Sequence, residues 1–330
     1  MTTPGPSEDP VFGPDPSTTP IPMGGEAISP DQMIAIPDGG EAVSSGSMTR
    51  QILRVFVENK LAVVGLAIIV FFVLFCFVGP FLYHSNQLNA QEALLNSTQN
   101  GAPSAQNPLG TDDNGFDILG RLMFGGQASL IVGFASAAVA TVVGVIYGAL
   151  SGFFGGWADA LLMRAVDVLL SIPSLFLLIA LVAIFHSTEL LLIGVIAFIS
   201  WLVPARLIRG EALTLRVREY VQAVRIMGGS RRRIIGRHIV PNAIGTIVVF
   251  ATFQVADSIL LLAALGFLGL GIPAPGTDWG SMLSNGVNYA LSGYWWEIYP
   301  AGICIVLVVI AFNFVGDALR DALEVRLQRR

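Results

Sequence analysis

The sequence predicts an all-α integral membrane protein of six transmembrane helices with both termini in the cytoplasm, and three observations predict it. The 330 residues have a mean hydropathy of +0.70 and only 12% charged residues, too little polar surface to cover a water-soluble globule of that size. Six apolar runs approach the ~20 residues that a helix needs to cross hydrocarbon. The basic residues gather on one side of those runs, as they do on the cytoplasmic face of membrane proteins.

The first 47 residues hold seven acids, no base and nine of the 18 prolines, with no apolar period. Such a segment cannot bury enough apolar surface to fold, so a disordered cytoplasmic tail is expected over 1–47. It lacks a basic stretch followed by an apolar one, so it does not read as a cleaved signal peptide. The transmembrane domain is then 48–330, with 18 bases against 16 acids. Its spans are expected at 61–83, 128–151, 167–186, 190–207, 243–270 and 298–316. With the N-terminus inside, Arg50, Arg54 and Lys60 precede the first span and Arg164 stands at the inner start of the third. Nine arginines fill the segment after the fourth span, and four follow the sixth. Only Arg121, in an external loop over 84–127, then lies outside.

The second span carries Ser136, Ala140, Gly144, Gly148, Gly152 and Gly156 at a strict period of four. That stripe lets another helix approach backbone to backbone, in the bundle or at a subunit interface; a glycine-lined substrate groove is the alternative. Trp279, Tyr289, Tyr294, Trp295, Trp296 and Tyr299 cluster between the last two spans, as an external aromatic belt would. Cys76 and Cys304 both fall inside apolar runs and read as small core residues, not as a disulfide or metal framework.

The densest signal is residues 201–242, which hold nine arginines between two spans. EYVQAVRIMGG reads as a short helix ended by Gly228 and Gly229, and a second basic helix runs on to Pro241. This predicts a protruding cytoplasmic hairpin over 208–240. From charge alone it is either an anchor on anionic lipid or a docking element for a protein; neither use involves nucleic acid. Ala223 and Gly228 leave room for a partner's surface to approach closely, which lipid binding does not require.

This segment resembles the inner-membrane permease subunits of ATP-driven importers, specifically the C-type permease of the dipeptide/oligopeptide/nickel group. The family pattern runs Glu-Ala-Ala, three residues, Gly, nine residues, then a short apolar stretch ending in Pro. Here those positions hold Gln222-Ala223-Val224, Gly228 and Val240-Pro241. Gln222 and Val224 depart from the pattern, so no role that needs a charge at 222 carries over. NPLGTDDNGFDILGRLMFGGQASL at 107–130 resembles the family's approach to its second span, with Phe116 where arginine is usual. MRAVDVLLSIPSL at 163–175 resembles its third span, and GFLGLGIPAPGTDWGSML at 266–283 its exit from the fifth. The likeness covers roughly residues 50–320, in order. It implies a type I ABC importer permease bundle that forms half of a path for short peptides, with a nickel or other metal chelate as the other substrate. A second homologous permease, two ATPase subunits or one fused ATPase, and an extracellular solute-binding protein would complete the machine. The region around Gln222, Ala223, Val224, Arg225, Gly228, Gly229 and Pro241 is in that family the helix that couples to the ATPase.

The chain offers no engine of its own. A Walker A loop needs glycines ahead of its lysine to cradle phosphates, and Lys60, the one lysine, has none. His84, His186 and His238 are scattered, and no catalytic or metal-binding set stands out, so no cofactor is expected on this chain; ATP and magnesium would belong to partner subunits. Asp257, with Gln254 one turn before it and Ser258 beside it, lies near the middle of the fifth span. A buried acid is costly there, so the three read either as a lining of the translocation path or as glue to a neighbouring helix. Asp167 can pair with Arg164 on one helix face. Asp112, Asp113 and Asp117 are expected to cap and orient the helix leading into the second span. The competing reading is a self-sufficient secondary transporter or channel, which would show internal repeats or several midplane acids.

Overall fold

Asn59 accepts hydrogen bonds from the N–H groups of Leu61 and Ala62 at 3.0 and 3.3 Å and so starts α1, Lys60–Phe77. The computed structural model describes residues 56–328 apart from positions 90, 92, 94 and 96; the expected tail 1–47 lies outside them. Asp117 caps the Gly120 N–H at 2.8 Å and opens α2, Ile118–Phe154, whose 37 residues extend about 55 Å. Helix α2 therefore starts well before the expected span at 128, and the connection expected over 84–127 ends near residue 117. Next come α3, Gly156–Ser171, and α4, Ser174–Ile184, then α5, Glu189–Ser200, and α6, Leu202–Leu215. The arginine-rich segment holds α7, Glu219–Ile226, followed by a helical stretch through Arg231–Ile234 and Ile235–Ile239. The last long elements are α8, Ile244–Phe267, the short α9, Trp279–Val287, and α10, Tyr299–Gln328. Among the described residues extended pairing is confined to one isolated bridge, Thr111 to Asp117.

Four helices are long and apolar enough to cross a membrane, and two bent pairs raise the number to six if each pair is one span. The expected third and fourth spans, 167–186 and 190–207, fall on those pairs, the first of which begins earlier, at Gly156. Between α3 and α4 the chain turns by 83°, because Pro173 drives Ile172 out of the helical region to ψ 126°. Between α5 and α6 the bend is 42°, where Pro204 has no N–H to return to the preceding turn. Periodicity reads through both breaks because the residues on either side stay apolar.

Helix α2 is the hub, packed against α1, α5, α6 and α8. Its glycine stripe does what the period of four implies. A Cβ on Gly144 would sit 2.6 Å from Pro204 Cβ, one on Gly152 2.6 Å from the Arg209 carbonyl, and one on Gly148 would strike the Ala205 carbonyl. Helix α6 thus lies backbone to backbone on α2 along three turns. Further out, Ser136 donates to the Ile193 carbonyl of α5 at 3.2 Å. Gly156 leaves the stripe: at φ +59° it belongs to the turn into α3, and a Cβ there would touch nothing. Helices α1 and α10 meet similarly, with a Cβ on Gly65 falling 2.8 Å from the Ala311 carbonyl.

The aromatic cluster over 279–299 does not form a uniform belt. Trp279 is fully buried, donates Nε1–H to the Leu122 carbonyl at 3.0 Å and meets Phe72 edge-on at 5.7 Å. Trp296 is also in the core, while Trp295 and Tyr299 are exposed. Asp278 is fully buried and accepts from the Ile272 and Ser281 N–H groups, each at 3.0 Å, and from the Ser281 hydroxyl at 2.6 Å. That carboxylate ties the exit of α8 to the start of α9.

Gly148→Leu is expected to lower stability by about 1–3 kcal/mol through overpacking of the α2–α6 seam. Gly210→Ala, which meets nothing within 4 Å, should leave stability unchanged or raise it slightly. Thermal unfolding midpoints of the two variants in the same detergent check this.

Candidate functional site

The nine arginines of 201–242 divide by where the elements carry them. Arg206 and Arg209 lie on α6, and Arg216 and Arg218 lie in the turn that follows it. Arg225 stands on α7, and Arg231, Arg232, Arg233 and Arg237 on the return stretch. Helix α7 forms because Glu219 sits in its first turn and Arg225 in its last, each matched to the helix dipole. It ends in a Schellman motif: the Gly229 N–H donates to the Val224 carbonyl at 2.9 Å and the Gly228 N–H to the Arg225 carbonyl at 3.1 Å. Gly228 takes φ +78°, the left-handed conformation this motif needs. Gly229 is held for another reason, since its Cβ would fall 2.6 Å from a Val224 methyl.

The helix has two faces. Val221 and Val224 turn inward onto Ala212, Phe153, Leu215, Ile234, Ile235 and Ile239, a small core beneath the membrane bundle. Gln222 is half-buried and donates Nε2–H to the Arg216 carbonyl at 3.1 Å, so its amide secures the hairpin to the end of α6. Ala223, Arg225 and Gly228 are exposed, as are Ile226 at 86% and Met227 at 78%. Ser230 caps the return stretch, whose first residue Arg231 stacks over the Phe154 ring at 5.3 Å. Pro241 is exposed in the turn Val240–Asn242 that leads into α8.

Helix α7 thus presents a small residue, two large apolar residues and a left-handed glycine, rimmed by exposed arginines on a firm backing. That outer surface is apolar at its centre and basic at its rim. Ile226 and Met227 were not singled out from the sequence. Their signal is apolar residues on the outer face of a short polar helix, legible only once Val221 and Val224 fix which face is inner.

The second candidate group does not come together. Gln254 is 4% exposed and Ser258 fully buried, one turn apart on the inner face of α8, and the Ser258 hydroxyl has no hydrogen-bond partner among the described residues. Asp257 lies about 60° around the helix from Gln254 and about 100° from Ser258, and it is exposed on the surface of the single chain. Asp167 also departs from expectation: it pairs with Arg206 of α6, not with Arg164 on its own helix. Of the acids ahead of α2, Asp117 caps that helix, whereas Asp112 receives the Asn114 and Phe116 N–H groups at 2.9 Å and pairs with Arg121 at 3.0 Å. Burial pushes both carboxyls upward in pKa, opposed by Arg121 at Asp112 and by the Gly120 N–H at Asp117.

Residues 113–329 match the family described as binding-protein-dependent transport system inner membrane component. This chain belongs to that family. Residues 47–103 match a second description, the N-terminal transmembrane domain of oligopeptide transport permease C. The oligopeptide transport system permease protein OppC of Haemophilus influenzae is 40% identical over 277 residues, covering 82% of this chain and 86% of that one. The dipeptide transport system permease protein DppC of Alkalihalophilus pseudofirmus is 40% identical over 271 residues, covering 82% and 88%. OppC of Bacillus subtilis is likewise 40% identical, over 276 residues, covering 83% and 88%. The hairpin lies inside the part of the chain matched to the inner membrane component family.

Gly228→Val forces a branched residue into the left-handed region at about 1–2 kcal/mol. Local opening of the hairpin, and with it tryptic cleavage at its arginines, should therefore rise about tenfold. Gly228→Asn, which tolerates that conformation, should be cleaved at nearly the wild-type rate. Equal rates for the two variants would contradict the role of φ here.

Proposed function

We propose that this chain is one of two permease subunits forming the path of an ATP-driven importer of short peptides, and that α7 docks into a groove on an ATPase subunit. The observation that carries the reading is the outer face of α7: Ala223, Ile226, Met227 and Gly228 stand exposed while Val221, Val224 and Gln222 fasten the same helix to α6. A helix held on one face and bare on the other transmits a push instead of absorbing it. ATP and magnesium belong to the partner ATPases. An extracellular solute-binding protein delivers substrate to the opposite side.

The sidedness in this proposal follows from charge. Both termini and the hairpin face the cytoplasm, because the reverse arrangement carries the nine-arginine segment across the bilayer. The peptide substrate is supported by the relatives, whose names are oligopeptide and dipeptide permeases. Those names lend nothing to the nickel chelate or to a self-sufficient transporter.

Asp257 fits the two-subunit path. An ionised carboxylate on the outer face of a mid-membrane helix costs several kcal/mol against lipid, so that face of α8 is covered by the second permease or by the water of the path. There it meets the positively charged end of a peptide. Gln254 and Ser258, one turn apart on the buried side of α8, serve the path by holding α8 in place.

Purified in mild detergent with its native neighbours, the chain should bring with it a second permease and subunits bearing a Walker A motif. Peptide and binding protein should stimulate ATP hydrolysis several-fold. A chain that purifies alone as a stable homo-oligomer contradicts the proposal. In the working complex, Asp257→Asn should change the order of preference among peptides of different N-terminal charge; an unchanged order returns Asp257 to a structural role.

A further inference from the structure

Helix α3 is poorly fastened to the bundle. Of its 16 residues only Asp159, Met163 and Val166 are buried, and it is flanked by the Gly155-Gly156 turn on one side and by the 83° break on the other. Its strongest attachment is polar. Arg209 of α6 donates Nε–H and Nη2–H to the two oxygens of Asp159, both at 2.6 Å, and the Ser151 hydroxyl of α2 donates to the same carboxylate at 2.5 Å. The Asp159 side chain is only 11% exposed, whereas that of Arg209 keeps 35% of its surface open. Arg206, about one turn before Arg209 on α6, pairs with Asp167, about two turns after Asp159 on α3, making a second rung between the same helices. Beyond the pair, Arg216 donates to the Gly152 carbonyl at 3.0 Å and its guanidinium fills the place a Gly155 side chain would take.

These contacts lie where α6 leaves the bundle and becomes the arm of the hairpin. Arg216, at the end of that arm, also offers the carbonyl that holds Gln222 of α7. Apolar packing slides, whereas a two-point guanidinium–carboxylate contact fixes both distance and orientation. We propose that Arg209 and Asp159, steadied by Ser151, are the joint through which displacement of the cytoplasmic hairpin moves α3 and, beyond the break, α4. They are positioning residues for transport. The inference rests on the docking role proposed for α7.

The test uses the complete complex in proteoliposomes, with ATP hydrolysis and uptake of a labelled peptide measured per assembled complex. Arg209→Lys keeps the charge but loses the two-point contact; Asp159→Asn keeps the shape but loses the charge. Each should lower peptide moved per ATP hydrolysed about tenfold while hydrolysis stays within about twofold. The double variant should be no worse than either single one, because both remove the same joint. Ser151→Ala, which removes only the steadying hydroxyl, should lower the ratio about threefold and serves as the readout if the other variants assemble poorly. A ratio equal to wild type in the assembled variants overturns the proposal, as does a parallel fall of hydrolysis and uptake, which marks a purely structural pair. Failure of the underlying function looks different: the wild-type complex itself would then show no ATP-dependent peptide uptake.

Discussion

The close approach of α2 and α6 along Gly144, Gly148 and Gly152 is the contact on which the rest of the chain depends. In lipid, helices gain little from hiding apolar surface from one another, so association relies on packing and on hydrogen bonds. Glycine at every fourth position supplies that packing by removing side chains from the seam. Because α2 is continuous through 37 residues, it holds α6 straight as that helix leaves the bundle, and the hairpin is carried on a supported arm.

Polar groups are placed where that arrangement has breaks. Asp159, Arg209 and Ser151 gather at the turn between α2 and α3, where Gly155 and Gly156 interrupt the helix. Asp278 gathers the backbone where α8 ends and α9 begins, and Asp117 caps α2 at its N-terminal end. In a medium that cannot supply hydrogen bonds, these carboxylates do for the helix ends what water does in a soluble protein. The apolar faces stay bare, as a subunit that awaits lipid and partners requires.

Much of this was legible in the sequence. Length and apolarity placed α1, α2, α8 and α10, and the glycine period of four identified the seam before its partner was known. The basic segment and its Gly228-Gly229 end located the hairpin, and Gly228 takes the left-handed conformation that a helix stop predicts. What escaped notice depends on residues distant in sequence. Asp159 and Arg209 are 50 positions apart, and neither carries a local signal that names the other. Asp167 had a plausible neighbour at Arg164, but the fold supplied Arg206. Gln254 and Ser258 are buried while Asp257, beside Ser258 in the chain, is exposed, because a step of one residue turns about 100° around the helix and carries Asp257 past the edge of the buried stripe. Trp279 looked like an interfacial anchor, yet its indole N–H finds the Leu122 carbonyl inside the bundle.

The central claim is that the outer face of α7 meets an ATPase subunit. A single cysteine placed at Ala223, with Cys76 and Cys304 replaced by alanine, should form a thiol crosslink to a Walker A-bearing subunit in native membranes, and ATP should change its yield. A cysteine at 223 that captures no such subunit and is labelled equally fast with and without the partner proteins would contradict the claim and return the hairpin to a basic anchor on lipid.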